Sequence, residues 1–188
     1  VDDLLIAGSS EKIINMIATQ LQDSFELKNL GDVKLYLGIE ISRDEEGNFH
    51  ISQQKYIESI VEEIGLTNAK SSNFPLDTGY YKIDNSEFLE SNENYRKHIG
   101  KLLYLSTNTR PDIAATVSIL SQKVSRPTKT DMNELKRTIR YLNGSSDLKL
   151  KLSSKLHEGR YQVYTDANWA ENRLDRKTNS GYFMEIKG

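Results

Sequence analysis

Val33-Lys34-Leu35-Tyr36-Leu37-Gly38-Ile39-Glu40-Ile41 alternates, with Val33, Leu35, Leu37, Ile39 and Ile41 on one side. A period of two is the mark of a strand with one covered face. Glu45-Glu46-Gly47-Asn48 then reads as a hairpin turn, and Phe49-His50-Ile51 as the returning strand. From Ser52 the period changes to 3.6. Tyr56, Ile57, Ile60, Val61 and Ile64 mark one helical stripe, which Gly65 closes. A sheet segment handing over to helices within one chain predicts an α+β fold.

Upstream of the hairpin, residues 1–7 read as the end of a strand, and Gly8-Ser9-Ser10 as a turn that caps a helix over 11–26. That helix carries Ile13, Ile14, Ile17, Leu21 and Phe25 at helical spacing. Downstream, residues 67–92 show no period and read as a long loop. Such loops are unusual in compact domains unless they are functional or lie over a partner surface. Three helices are expected next. The first runs from Tyr95 to about Ser106, with Ile99, Leu102 and Leu103 inward. The second starts at Pro111 and buries Ile113, Val117, Leu120 and Val124. Thr128 and Asp131 form a capping-box pattern for the third, which turns Met132, Leu135, Ile139 and Leu142 inward and ends at Asn143-Gly144. After Gly144 the period returns to two. Leu148, Leu150 and Leu152 mark a short strand, and residues 161–166 and 180–186 mark two more. A single hairpin of this kind is marginal by itself, so the last unit looks incomplete.

The 188 residues hold no cysteine, which excludes disulfides, zinc–thiolate sites and cysteine nucleophiles. His50, His98 and His157 lack metal-ligand spacing, and surface or core roles suit them better. No apolar run reaches the length of a membrane helix, and the first residues carry no basic, cleavable leader, so an intracellular, cytoplasmic or nuclear, protein is expected. The net charge of −2 hides a division. Residues 1–95 carry 7 basic and 18 acidic side chains, whereas residues 96–145 carry 10 basic and 3 acidic. A basic segment in a neutral chain fits a nucleic-acid contact surface, and equally fits internal pairing with the acidic half.

Two sets of residues carry possible chemistry. Adjacent carboxylates such as Asp2-Asp3 at a strand turn can ligate Mg²⁺ through oxygen, although most such pairs are merely solvated. Lys136, Arg137 and Arg140 fall on the helix face opposite Met132, Leu135, Ile139 and Leu142, where they can hold phosphates or simply face water. Arg110 stands before a helix start, either paired with Asp112 or touching phosphate.

Several strings, in order, resemble the copia (Ty1-type) retrotransposon polymerases. Val1-Asp2-Asp3-Leu4-Leu5-Ile6-Ala7-Gly8 is similar to their polymerase motif without its leading aromatic residue. Residues 30–41 resemble the primer-grip region, and Ile51-Ser52-Gln53-Gln54-Lys55-Tyr56 the start of the thumb. Tyr95-Arg96, Gly100 to Leu105, Thr109 to Ile113 and Lys136 to Gly144 continue the likeness. Tyr164 to Ala170 and Arg176 to Tyr182 resemble the opening hairpin of the family's RNase H domain. Asp131-Met132 departs from the family's usual His-Trp, Asn168 from Asp and Glu171 from Gly.

This resemblance implies a palm remnant with the primer-grip hairpin over 1–53, a helical thumb or connection over 54–145, and the truncated start of an RNase H-like domain over 146–188. It implies that Asp2 and Asp3 hold Mg²⁺ in the parent polymerase, and that Asp166 is one RNase H ligand. It implies too that Tyr36 and Gly38 approach a primer backbone, and that the partners are an RNA–DNA or DNA template–primer duplex and the rest of a polyprotein, with no membrane. The family's third polymerase Asp, the fingers and the other RNase H carboxylates are missing from the sequence. The chain is therefore expected to be an inactive fragment of an RNA-directed DNA polymerase with RNase H. The alternative is a non-enzymatic nucleic-acid-binding or interaction module. Trp169 is expected to pack over the incomplete sheet.

Overall fold

The apolar stripes expected of the middle of the chain build its core. In the computed structural model, residues 3–82, 86–153, 160–168 and 179–187 are described. Helix α1 spans Glu11–Gln22. Two strands follow, β1 (Leu35–Tyr36) and β2 (Ile39–Arg43), then β3 (Phe49–Ser52) and helix α2 (Gln54–Glu63). Helices α3 (Glu93–Asn108), α4 (Ala114–Ser121) and α5 (Lys129–Asn143) come next, with a 3₁₀ turn at Pro111–Ile113 leading into α4. Strand β4 (Leu150–Leu152) and the long strands β5 (Arg160–Asn168) and β6 (Asn179–Lys187) complete the α+β chain.

The buried centre lies among α2 to α5. Ile57, Ile60, Tyr95, Leu102, Leu105, Ile113, Val117, Leu120, Leu135, Ile139 and Leu142 are each at most 1 % exposed. Burying each such side chain stabilises by about 1.5–3 kcal/mol, so this unit supplies most of the hydrophobic driving force. Leu103 does not join Ile99 and Leu102 inside. It is half exposed, and Leu105 takes the inward place. The helix ends follow their local chemistry. Gly65 adopts φ 72° while Leu66 N–H donates to the Val61 carbonyl and Gly65 N–H to that of Glu62, the paired bonds of a Schellman end. Thr128 and Asp131 cap α5 reciprocally, as their spacing foretold.

Three expectations near the N-terminus are corrected. Residues 3–7 form no strand, because a strand exists only through a hydrogen-bonded neighbour and none of the described strands lies beside them. Helix α1 stops at Gln22, short of Phe25, and buries no residue. The alternating run 33–41 is not one strand. It folds at Leu37 and Gly38, whose φ values of 49° and 78° make a two-residue turn with Tyr36 opposite Ile39 and Leu35 opposite Glu40. An alternating pattern gives the period but not where the chain doubles back.

The sheet order is β1-β2-β3-β4, antiparallel throughout. Strand β4, which the sequence groups with the hairpin after it, pairs with β3, Phe49 facing Leu152. The β2–β3 turn is clasped by Asp44, whose carboxylate accepts hydrogen bonds from the Asn48 backbone and side-chain amides, each at 2.8 Å, and lies 3.0 Å from His50 Nε2. Strands β5 and β6 pair along their whole length, from Arg160–Lys187 to Asn168–Asn179, with Tyr164 and Phe183 in cross-strand contact. Trp169 and Glu171 lie outside the described residues.

Candidate nucleic-acid interface

The described parts of the long loop, residues 67–82 and 86–92, form a strap laid along α5 of its own chain. Thr138 Oγ1 donates to the Pro75 carbonyl, and the Asp77 amide donates to Glu134 Oε2. Tyr80 donates its hydroxyl to the buried Asp131 at 2.6 Å, so one carboxylate both caps the helix and pins the strap. Burial, reinforced by that bond, pushes the Tyr80 hydroxyl far above its ordinary pKa, leaving it a fixed donor. Phe88 bridges to Thr128, and Lys129 pairs with Glu87. Gly144 has φ −72°, so it is not there for a left-handed helix end. A side chain on it would stand 2.6 Å from Ser71 Cβ, and its bareness is what lets the strap close on the helix.

The strap sorts Lys136, Arg137 and Arg140 of α5. Arg137 is engaged within the chain, 2.9 Å from Asp77 and 3.1 Å from Glu134. Lys136 and Arg140 are half-buried and make no ion pair or side-chain hydrogen bond among the described residues. They are the uncompensated charges of this face. Arg140 borders an open cleft of about 330 Å³ between α5 and the strap, lined by residues 70–74 with Arg137 and Arg140. Among the described residues no carboxylate lines it. Lys70 and Phe74 were not singled out in the sequence, because the strap lacks a period and only its docking on α5 brings them to Arg140.

Arg110 takes the first of its two possible roles. Its side chain is 3 % exposed and forks onto Asp112, Nε to Oδ1 at 3.0 Å and Nη2 to Oδ2 at 2.7 Å. It also donates to the Ser145 carbonyl and hydroxyl and lies over the Tyr141 ring. It is a buried tie between the α3–α4 junction and the end of α5. Burial raises the Asp112 pKa, but hydrogen bonds from Arg110 and Tyr141 outweigh that and hold the carboxyl below its ordinary range.

Tyr36 and Gly38 sit on the β1–β2 turn rather than mid-strand. Tyr104 of α3 donates its hydroxyl to the Leu37 carbonyl and stands edge-on to Tyr56, with ring centroids 5.6 Å apart. The turn is thus tied to the helical unit, with Leu37 and Gly38 exposed. Asp3 is exposed in irregular chain, and Asp2 lies outside the described residues. Asp166 is exposed on β5 opposite Gly181. Among the described residues no three His, Asp or Glu side chains converge as metal ligands. The described carboxylates by themselves therefore do not make a two-metal Mg²⁺ site. No helix among them is long and apolar enough to cross a membrane.

Residues 1–78 match the family model described as reverse transcriptase (RNA-dependent DNA polymerase). Over 100 % of its length the chain is 33 % identical to the retrovirus-related Pol polyprotein from transposon TNT 1-94 of Nicotiana tabacum, of which it covers 15 %. It is 35 % identical to an uncharacterized mitochondrial protein of Arabidopsis thaliana over 97 % of its own length and 75 % of that protein. It is 31 % identical to the putative transposon Ty5-1 protein of Saccharomyces cerevisiae, covering 61 % of it. The chain belongs to the copia-type retrotransposon reverse-transcriptase family. No solved structure gives a significant match.

Proposed function

We propose that the chain is the palm end, thumb and RNase H start of a copia-type Pol protein, and that its own part of the work is to hold a template–primer duplex. The carrying observation is its end-to-end collinearity with Pol polyproteins of which it spans only 13–15 %. In this reading Lys136 and Arg140 of α5 neutralise duplex phosphates without reading sequence. The Leu37–Gly38 turn, with Tyr36 beside it, lies against the primer backbone. Asp2, Asp3 and Asp166 would hold Mg²⁺ together with carboxylates from elsewhere in the parent protein, and the metal would there supply activation of the attacking oxygen and stabilisation of the leaving one.

By itself the chain binds a duplex and performs neither polymerisation nor cleavage. Two assays test this. Primer extension with Mg²⁺ is expected to show no incorporation, and incorporation by the purified chain would refute the inactivity. Binding to an RNA–DNA hybrid is expected to weaken with salt, with a log–log slope that falls by about 0.9 for each phosphate contact removed, as in Lys136→Ala. No binding at low salt would refute the duplex role.

A second reading is favoured by the match to short relatives, one of them covered over three quarters of its length. There the same fold serves as a non-enzymatic nucleic-acid-binding module. It differs in requiring that duplex binding by the isolated chain be tight and self-sufficient.

A further inference from the structure

The cleft between the strap and α5 combines two features, of which a duplex phosphate contact needs only the charge. One is Phe74, whose side chain is 67 % exposed and makes no ring or cation contact among the described residues. A phenyl ring bordering a cationic cleft offers an apolar stacking face that no other ring of the described residues occupies. The other is the charge. Lys70 on the strap and Arg140 on the helix face the cleft uncompensated, while Arg137 is held by Asp77 and Glu134.

The strap segment is also pre-shaped. Ser72 Oγ donates to the Phe74 carbonyl at 2.8 Å, and the Ser72 amide reaches the Arg140 carbonyl at 3.4 Å. Thr138 fixes Pro75 just beyond. The ring is therefore presented on an anchored turn and not on a loose loop. Asn73, exposed beside it, offers an amide that can donate and accept at once.

We infer that this cleft binds a single-stranded nucleic-acid segment, with one base stacked on Phe74 and the flanking phosphates held by Lys70 and Arg140. A duplex has its bases already stacked and would leave the ring idle. An unpaired base has a free face, which an aromatic ring between cations accepts whatever its sequence. A free phosphate would use the cations but gain nothing from the ring. The inference rests on the proposed duplex role for the kind of partner and shares Arg140 with it; Lys70 and Phe74 belong to the single-strand role alone, and Lys136 to the duplex role alone.

The test is fluorescence anisotropy on the full chain with two probes, a labelled dT single strand of about 12 nucleotides and a blunt RNA–DNA hybrid of about the same length. Phe74→Ala is expected to weaken the single strand roughly tenfold and to leave the hybrid unchanged within about twofold. Phe74→Trp, which keeps a stacking face, is expected to retain single-strand binding. Lys70→Ala with Arg140→Ala should steepen the loss for the single strand. Lys136→Ala should weaken the hybrid alone. Circular dichroism checks that the variants fold, which the exposure of Phe74 favours.

Single-strand affinity unmoved by Phe74→Ala would overturn the inference, as would an equal loss for both probes. Competition by inorganic polyphosphate that is equally strong against wild type and Phe74→Ala would also overturn it, reducing the cleft to an anion site. If Lys136→Ala leaves the hybrid unaffected while Phe74→Ala still weakens the single strand, only the duplex reading fails.

Discussion

Replacing Arg110 by Ala separates a structural tie from a phosphate contact. The guanidinium makes four hydrogen bonds, two to Asp112 and two to Ser145, at 2.7–3.0 Å. Removing one partner of a buried ion pair costs about 3–5 kcal/mol, because the other charge is left desolvated. Asp112 is 34 % exposed and keeps the Tyr141 hydroxyl at 2.9 Å, so water and one donor partly compensate it. The expected loss is therefore about 3 kcal/mol, the lower end of that range. At about 2–4 °C per kcal/mol for a chain of this size, the Tm should fall by roughly 6–12 °C, read by circular dichroism.

The pH dependence follows from the depressed Asp112 carboxyl. Its stabilisation is fully present above the ordinary value of 3.8 and is lost as pH falls through the lower folded value. In Arg110→Ala the burial effect is left without its counterweight, and this acid-sensitive share of stability should disappear. Arg110→Met combined with Asp112→Asn should recover at least about half the loss, since no charge is orphaned. A loss below about 1 kcal/mol in Arg110→Ala, accompanied by weaker duplex binding and a shallower salt slope, would refute the argument and restore Arg110 as a phosphate ligand.

Three further outcomes are expected. Gly144→Ala places a methyl group against Ser71 Cβ and should destabilise by about 1–3 kcal/mol in urea unfolding, with Ser71→Gly in the same chain relieving part of it. Leu102→Ala, at a fully buried position, should cost about 2–5 kcal/mol, whereas Leu103→Ala, half exposed on the same helix, should cost well under half as much. The Glu63 carboxyl, hydrogen-bonded by Lys101 and Lys97, should titrate at about 2 in an NMR pH series instead of at 4.5, and should move back up when both lysines are replaced by Met.

Much of the architecture is legible in the residues because it is local. The 3.6-residue stripes of α2, α3 and α5 name their own buried faces, and Thr128 with Asp131 states where α5 begins. Gly65 marks an end that only a positive φ completes. The failures share a cause. Residues 3–7 have a strand's composition but no neighbour to pair with, and Leu35 to Ile41 has a strand's period across a turn that the period cannot register.

The candidate interface divides the same way. The basic helix and the family likeness are written in the sequence, since charge and motif order survive without knowledge of contacts. Which of those charges is spent inside the protein is decided only by tertiary structure. Arg110 and Arg137 have identical chemistry to Arg140, and what differs is the carboxylate the fold brings to each: Asp112 to the first, Asp77 and Glu134 to the second. Asp77 and Arg137 are distant in sequence, and their meeting depends on Pro75, Tyr80 and Ser71 fastening an aperiodic strap to α5. The sequence alone determined the helices, the family and the sign of the surface. The strap's docking decided which cations remain free for a ligand and that Phe74 stands beside them, because those are pairings between segments far apart along the chain.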